Sequence, residues 1–133
     1  MLKIKKTIYD QLLEHASRED PIEACGYLVE KDGEIIKHYE MTNTDQDREH
    51  FSMDPKEQFQ VVKEVRAAGM KIKAVYHSHP ETPARPSEED IKLAFDPTMS
   101  YVIITLLKDS GDRIKSFLIK KGVVENEIIE IIE

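Results

Sequence analysis

The stretch from Ile72 to Asp90 constrains this chain more than any other part of it. Val75 and Tyr76 belong to a short apolar run that reads as a buried strand over Ile72 to His79, delivering His77 and His79 at its C-terminal end. Residues two apart in a strand face the same way, so both imidazoles project from one side of a sheet. Pro80, Pro83 and Pro86 follow, and a loop with three prolines is stiff enough to fold back at a defined angle. It returns Ser87 and Asp90 at the start of a short helix that runs through about Phe95 and is closed by Asp96-Pro97. The S-x-x-D spacing is by itself a capping pattern that requires no chemistry. Two neutral imidazole nitrogens and one carboxylate are nonetheless three ligands for tetrahedral zinc, with the fourth position left to water. That is an open, catalytic arrangement. With one cysteine in the chain, Cys25, a structural zinc site built from thiolates is excluded.

Helix and strand signals alternate through the remainder. Ile8, Leu12, Leu13 and Ala16 hold the spacing of one helical face, which predicts a helix over Thr7 to Ser17 with Thr7 as its cap and Pro21 beyond its end. The segment Ala24 to Met41 divides at Lys31-Asp32-Gly33 into two runs of strand composition, a β-hairpin. From Thr42 to His50 the residues are polar and form a loop with no packing signal, and the acidic stretch Glu40 to Asp54 reads as solvated surface. Asp54-Pro55 opens a second helix, because Asp accepts a first-turn amide and proline suits the first helical position. That helix is expected to run to Ala68, to bury Phe59, Val62 and Val65, and to stop at Gly69. Strands follow at Tyr101–Leu107 and Arg113–Lys120, joined by Lys108-Asp109-Ser110-Gly111. In the tail, residues 123–133, Val124, Ile128 and Ile131 fit a helical face, while the density of Val and Ile favours a strand. Interleaved helices and strands in 133 residues define an α/β unit spanning 1–133 as one domain.

Charge narrows the choice of partners. With 26 acidic against 19 basic residues the formal charge is −7, which disfavours a nucleic-acid backbone. No run approaches the roughly 18 apolar residues of a membrane span. Lys3, Lys5 and Lys6 follow Met1 without the apolar run a signal peptide needs, and a lone cysteine forms no internal disulfide, so a cytoplasmic setting is expected. His15, His38 and His50 lack a spacing partner and read as surface or locally satisfied residues. Cys25, two residues along from Glu23, reads as a small buried hydrophobe, with a fourth ligand or a nucleophile as the alternative, and Arg85 as a solvated loop residue, with a contact to a substrate carbonyl or carboxylate as the alternative.

Taken whole, Glu23, His77-Ser78-His79, the seven residues Pro80 to Pro86 and Ser87-Glu88-Glu89-Asp90 resemble the signature of the JAMM or MPN-plus metallopeptidases, in which a glutamate precedes H-x-H, seven residues and S-x-x-D. Pro21 to Leu28 is similar to the glutamate-bearing strand of the prokaryotic branch of that family, and only the tail after Gly122 lies outside the likeness. The resemblance implies a cytidine-deaminase-like JAMM/MPN fold, a mixed β-sheet sandwiched between helices. It implies Zn²⁺ held by His77, His79 and Asp90, with Glu23 as general base and Ser87 as hydrogen-bond donor to the developing oxyanion. It further implies hydrolysis of a peptide or isopeptide bond, with a ubiquitin-like or sulfur-carrier protein bearing a Gly-Gly tail as partner. The alternatives within the resemblance are a non-catalytic MPN interaction module and a RadC-type or phage-tail-type protein. A chain this short has no room for the added loops that grip two ubiquitins, so a narrow groove beside the zinc would have to select the substrate.

Overall fold

A computed structural model describes residues 1–108 and 111–133. The chain runs β1 (Leu2–Lys5), α1 (Lys6–Glu19), β2 (Cys25–Lys31), β3 (Glu34–Met41), α2 (Pro55–Ala67), β4 (Lys71–His79), α3 (Glu88–Lys92), β5 (Ser100–Thr105), β6 (Ile114–Lys120), β7 (Val123–Glu127) and β8 (Ile129–Ile132). The strands form a mixed sheet in the order β7-β6-β5-β4-β2-β3-β1-β8. β2 is antiparallel to both β3 and β4, whereas β4 is parallel to β5 and β1 is parallel to β3 and β8. The expected α/β architecture is therefore present, with helices on both faces of the sheet.

Alternation along the strands divides the core between those faces. Ile8, Leu12 and Ala16 of α1 pack on Leu28, Ala74, Tyr76, Val102 and Ile104. On the opposite face Val61 and Val65 of α2 cover Cys25, Val29 and Met41, while Ile91 of α3 packs with Ile103, Phe117 and Ile119. β2 and β3 turn at Asp32 and Gly33, whose φ angles of 53° and 82° suit the two-residue hairpin turn. Gly26 answers a different need. A Cβ at that position would lie 2.5 Å from the Tyr76 ring and against the Tyr39 carbonyl oxygen, so the close approach of β2 to the side chains of β4 requires glycine.

Several local expectations are corrected. No strand is expected before the first helix, yet β1 forms there, with Leu2 and Ile4 buried where the strand pairs with β3 and with the distant β8. α1 begins at Lys6, so Thr7 lies inside the helix and no side chain caps it. In α2 the buried face is Val61 and Val65. Phe59 is 66% exposed, with Lys63 over its ring at 5.8 Å, and Val62 is only half-buried. α3 ends at Lys92 rather than near Phe95. The expected turn at 108–111 falls partly on Asp109 and Ser110, outside the described residues. In the tail the strand reading holds: β7 pairs with β6, and after Ile128 the chain joins β1 as β8, linking the two ends of the strand order.

Candidate metal centre

The C-terminal end of β4 carries His77 and His79 onto the face shared with α2 and α3, both nearly fully buried. Asp54 Oδ1 accepts the Lys56 amide at 2.9 Å, and Pro55 follows as the first helical residue, which starts α2 where the sequence places it. α3 starts with a complete capping box: Ser87 Oγ accepts the Asp90 amide at 3.0 Å, and Asp90 Oδ2 accepts the Ser87 amide at 2.9 Å. The cap aims that same Oδ2 at the histidines. His77 Nε2 and His79 Nε2 are 3.1 Å apart, and each lies 3.2 Å from Asp90 Oδ2.

This triangle has the dimensions of a metal site. Ligands about 2.0 Å from a tetrahedral ion are separated by about 3.3 Å, close to the three distances here. The donor chemistry fits too. His79 Nδ1 donates to the Pro83 carbonyl at 2.9 Å, which fixes the ring tautomer and leaves Nε2 with its lone pair toward the triangle. His77 is oriented differently, by the Phe51 ring stacked on it at 4.9 Å and 25°. Burial alone would raise the Asp90 carboxyl, but the adjoining imidazoles of His77 and His79 and the hydrogen bond from the Ser87 amide hold it well below the usual carboxylate range. Among the described residues, these three form the one cluster whose ligand atoms all lie within 4.8 Å of one another.

Glu23 reaches this face from the turn before β2, where the antiparallel register sets Cys25 opposite His77. Ser78, between the two histidines, holds the segment: its Oγ accepts the Ala24 amide at 2.7 Å, and its own amide donates to the Ala24 carbonyl at 3.0 Å. The Glu23 amide donates to the Asp47 carbonyl at 2.9 Å, and Asn43 Nδ2 donates to the Glu23 carbonyl at 3.0 Å. The Glu23 side chain is thus fixed by its backbone, while its carboxylate accepts no hydrogen bond among the described residues. Burial, followed by the charges of Asp90, Glu89, Asp47 and Glu49, pushes its carboxyl up to about 9.

Two cavities meet at the triad. One, of about 460 Å³, is an apolar groove bordered by Gln58 of α2 and Asp90 of α3, with His77, Tyr27, Phe51, Val75 and Tyr101 among its walls. The other, of about 500 Å³, is polar and includes Glu23, His79 and Ser87. The loop read as solvated surface supplies parts of both, through Phe51, Met53, Arg48, Glu49 and His50. Asn43 is its organising residue: buried, it donates to the Glu23 and His50 carbonyls and accepts from the Asp45 amide at 3.0 Å. Nothing in a run of polar residues marks one Asn as buried; the nearest signal is that Asn at a loop start forms Asx turns.

The remaining candidates are not brought into the centre. Cys25 is buried against α2, its thiol pushed up to about 12 by burial first and by nearby glutamates second. His15 shares a 2.8 Å hydrogen bond with the Tyr76 hydroxyl on the opposite face, and His38 contacts Glu40 at 3.2 Å. His50 pairs with Glu89 at 2.7 Å across the polar cavity. Arg85 is exposed.

A sheet strand ending in paired histidines, a capped carboxylate completing the triangle and a buried glutamate alongside define the metallopeptidase class of hydrolase. The chain matches the family described as prokaryotic homologs of the JAB domain over residues 5–120, and it belongs to that family. It is 31% identical, over all of its own length and 92% of the relative's, to the CysO-cysteine peptidase of Mycobacterium tuberculosis. It is 24% identical, over 83% of its length and 74% of the relative's, to the desampylase of Pyrococcus furiosus. The solution structure of a protein from Desulfitobacterium hafniense superposes with a TM-score of 0.90 at 46% identity, covering 100% of this chain and 94% of that one. The family is the one the motif resembles, and its match ends before the C-terminal strands.

Proposed function

We propose that this chain is a zinc metallopeptidase that hydrolyses the peptide or isopeptide bond following the Gly-Gly tail of a ubiquitin-like or sulfur-carrier protein. The observation that carries the reading is the triangle of His77 Nε2, His79 Nε2 and Asp90 Oδ2, with edges of 3.1 and 3.2 Å, beside a carboxylate without a partner. These three atoms would hold zinc, which supplies a Lewis acid that polarises a carbonyl and acidifies water. Glu23 takes the proton from the attacking water and returns it to the departing amine, a role open to a buried carboxylate that accepts no hydrogen bond among the described residues. The Ser87 hydroxyl, whose oxygen accepts the Asp90 amide, keeps its hydrogen free to donate to the carbonyl oxygen as charge develops there.

The apolar groove supports the tail assignment. It leads to His77 and Asp90 between Phe51 and Tyr27 on one side and Tyr101 on the other, and glycines beside the scissile carbonyl let a backbone pass without side chains. The names of the two relatives, a CysO-cysteine peptidase and a desampylase, support a carrier conjugate as the substrate class. The test is to incubate the protein with Gly-Gly carriers of its own organism bearing C-terminal extensions. Release of the extension, abolished by a chelator and restored by zinc, is expected. Cleavage of short peptides while every carrier stays intact would refute the assignment.

A further inference from the structure

We propose that Thr105 is a positioning residue for the metal centre: its hydroxyl holds the proline loop so that the Pro83 carbonyl meets His79 Nδ1, and this sets how tightly the triad binds zinc. This rests on the reading above, in which the triad holds zinc.

The loop from Pro80 to Pro86 cannot be held as a strand is, because its three prolines carry no amide hydrogen. Thr105 supplies a donor from outside. It ends β5, which runs parallel to β4 with Thr105 in register with His79, and it is 0% exposed. Its Oγ1 donates to the Thr82 carbonyl at 2.7 Å and accepts the Leu107 amide at 3.1 Å, so the direction of the hydroxyl proton is fixed. The Thr105 amide donates to the Arg113 carbonyl at 2.8 Å, which ties the residue itself to the sheet.

Little freedom separates the Thr82 carbonyl from the Pro83 carbonyl. The peptide bond between them is planar and the proline ring locks φ, which leaves ψ of Pro83 as the one soft rotation. Two contacts at the Pro83 carbonyl oxygen settle that rotation, His79 Nδ1 at 2.9 Å and the Arg85 amide at 2.9 Å. Ala84, packed against Ile103, Phe117 and Ile119, anchors the other side of the loop. The position of the Thr105 hydroxyl is thus passed to the imidazole through two carbonyls. Without it the Thr82 carbonyl, on an exposed residue, can turn to solvent. The Pro83 carbonyl then loses its fixed place, and His79 is no longer held with Nε2 toward the triangle. Removing the acceptor of a ligating imidazole costs about 10–100-fold in metal affinity. Thr105 acts through that acceptor, which places its effect at the lower end.

The test measures zinc affinity, by competition with a chromophoric chelator, in the wild type, Thr105→Val, Thr105→Ser, Pro83→Gly and the double variant Thr105→Val/Pro83→Gly. Pro83 is exposed, so glycine there frees φ without disturbing the core. Thr105→Val should bind zinc about tenfold more weakly, and Thr105→Ser, which keeps the hydroxyl, should bind as the wild type does. Pro83→Gly should also weaken binding, and the two losses should not add in the double variant, because both release the same carbonyl. In the zinc-free protein, imidazole nitrogen shifts should report the Nδ1–H tautomer of His79 in the wild type and a mixture in Thr105→Val. Wild-type zinc affinity in Thr105→Val, even with a lower Tm, would show a purely structural hydroxyl and overturn this inference alone. An equal loss in Thr105→Ser overturns it too, and if Thr105→Val does not fold, wild-type affinity in Pro83→Gly does so in its place. Failure of the wild type to bind zinc overturns the proposed function, and this inference with it.

Discussion

Replacing Ser78 by alanine isolates what holds Glu23 beside the metal triangle. Ser78 Oγ accepts the Ala24 amide at 2.7 Å, and Ser78 and Ala24 are 0% and 1% exposed. Removing the oxygen leaves a buried N–H with no acceptor and no water, which costs about 1–3 kcal/mol. Unfolding entropy of about 2.1 cal/mol/K per residue, taken over 133 residues, converts this to a fall in Tm of about 4–11 °C. The backbone bond from Ser78 to the Ala24 carbonyl at 3.0 Å remains, so the segment stays attached but loses one of its two points of fixation. Glu23 is the next residue, and a displacement of about 1 Å in a reacting group can cost about a hundredfold in rate. Ser78→Ala should therefore keep its zinc, melt earlier and lose turnover, while Ser78→Thr, which retains the oxygen, should recover turnover. Thermal unfolding, metal content and release of a carrier extension are the three measurements. An alanine variant with wild-type Tm and turnover would refute the clamp. Loss of zinc together with turnover would show that Ser78 acts on the neighbouring histidines instead of on Glu23.

His77→Ala and Glu23→Gln should separate metal binding from proton transfer. The wild type is expected to hold about one zinc per chain and the histidine variant to lose it; Glu23→Gln should keep the metal and lose turnover, and full activity in that variant would remove Glu23 as the base. Burial, the largest influence on His15, lowers its proton affinity below the ordinary value of 6.5. The unfolded chain then binds the proton more readily than the fold does, so the contribution of neutral His15 is present above 6.5 and is lost as pH falls below it. Urea unfolding should show a slope of at most about 1.4 kcal/mol per pH unit from this one group. In His15→Gln the slope should be flatter, and an unchanged slope would show that other groups set the acid limit.

Features whose cause lies within a few residues were legible in advance. Asp54-Pro55 starts α2, and Ser87 and Asp90 form their reciprocal cap, because each contact closes within one helical turn. The projection of His77 and His79 from one side of the sheet follows from the period of a strand. Contacts that depend on distant partners were not legible. Leu2 and Ile4 are buried because β1 lies between β3 and β8, and β8 is contributed by the last residues of the chain. Which side of α2 faces the sheet depends on how the helix rolls against Met41 and Val29, which turned Phe59 out and Val61 in. Asn43 and Phe51 sit in a loop without periodicity, yet one organises the backbone around Glu23 and the other stacks on His77.

By itself the sequence singled out the candidate groups: two imidazoles, a carboxylate that also caps a helix, a serine hydroxyl and a distant glutamate. Their types and spacing restrict the chemistry because few side chains bind zinc or move protons, and because strand and helix periods set directions over short separations. Only the tertiary structure decided how they meet. A register pairing Cys25 with His77 and a hydrogen bond spanning 54 positions bring Glu23 alongside β4. The packing of α2 and α3 on the same sheet face leaves an apolar groove on one side of the triad and an acidic cavity on the other. Those arrangements come from burial of apolar surface and pairing of backbone groups across the whole chain, and no local window of residues encodes either.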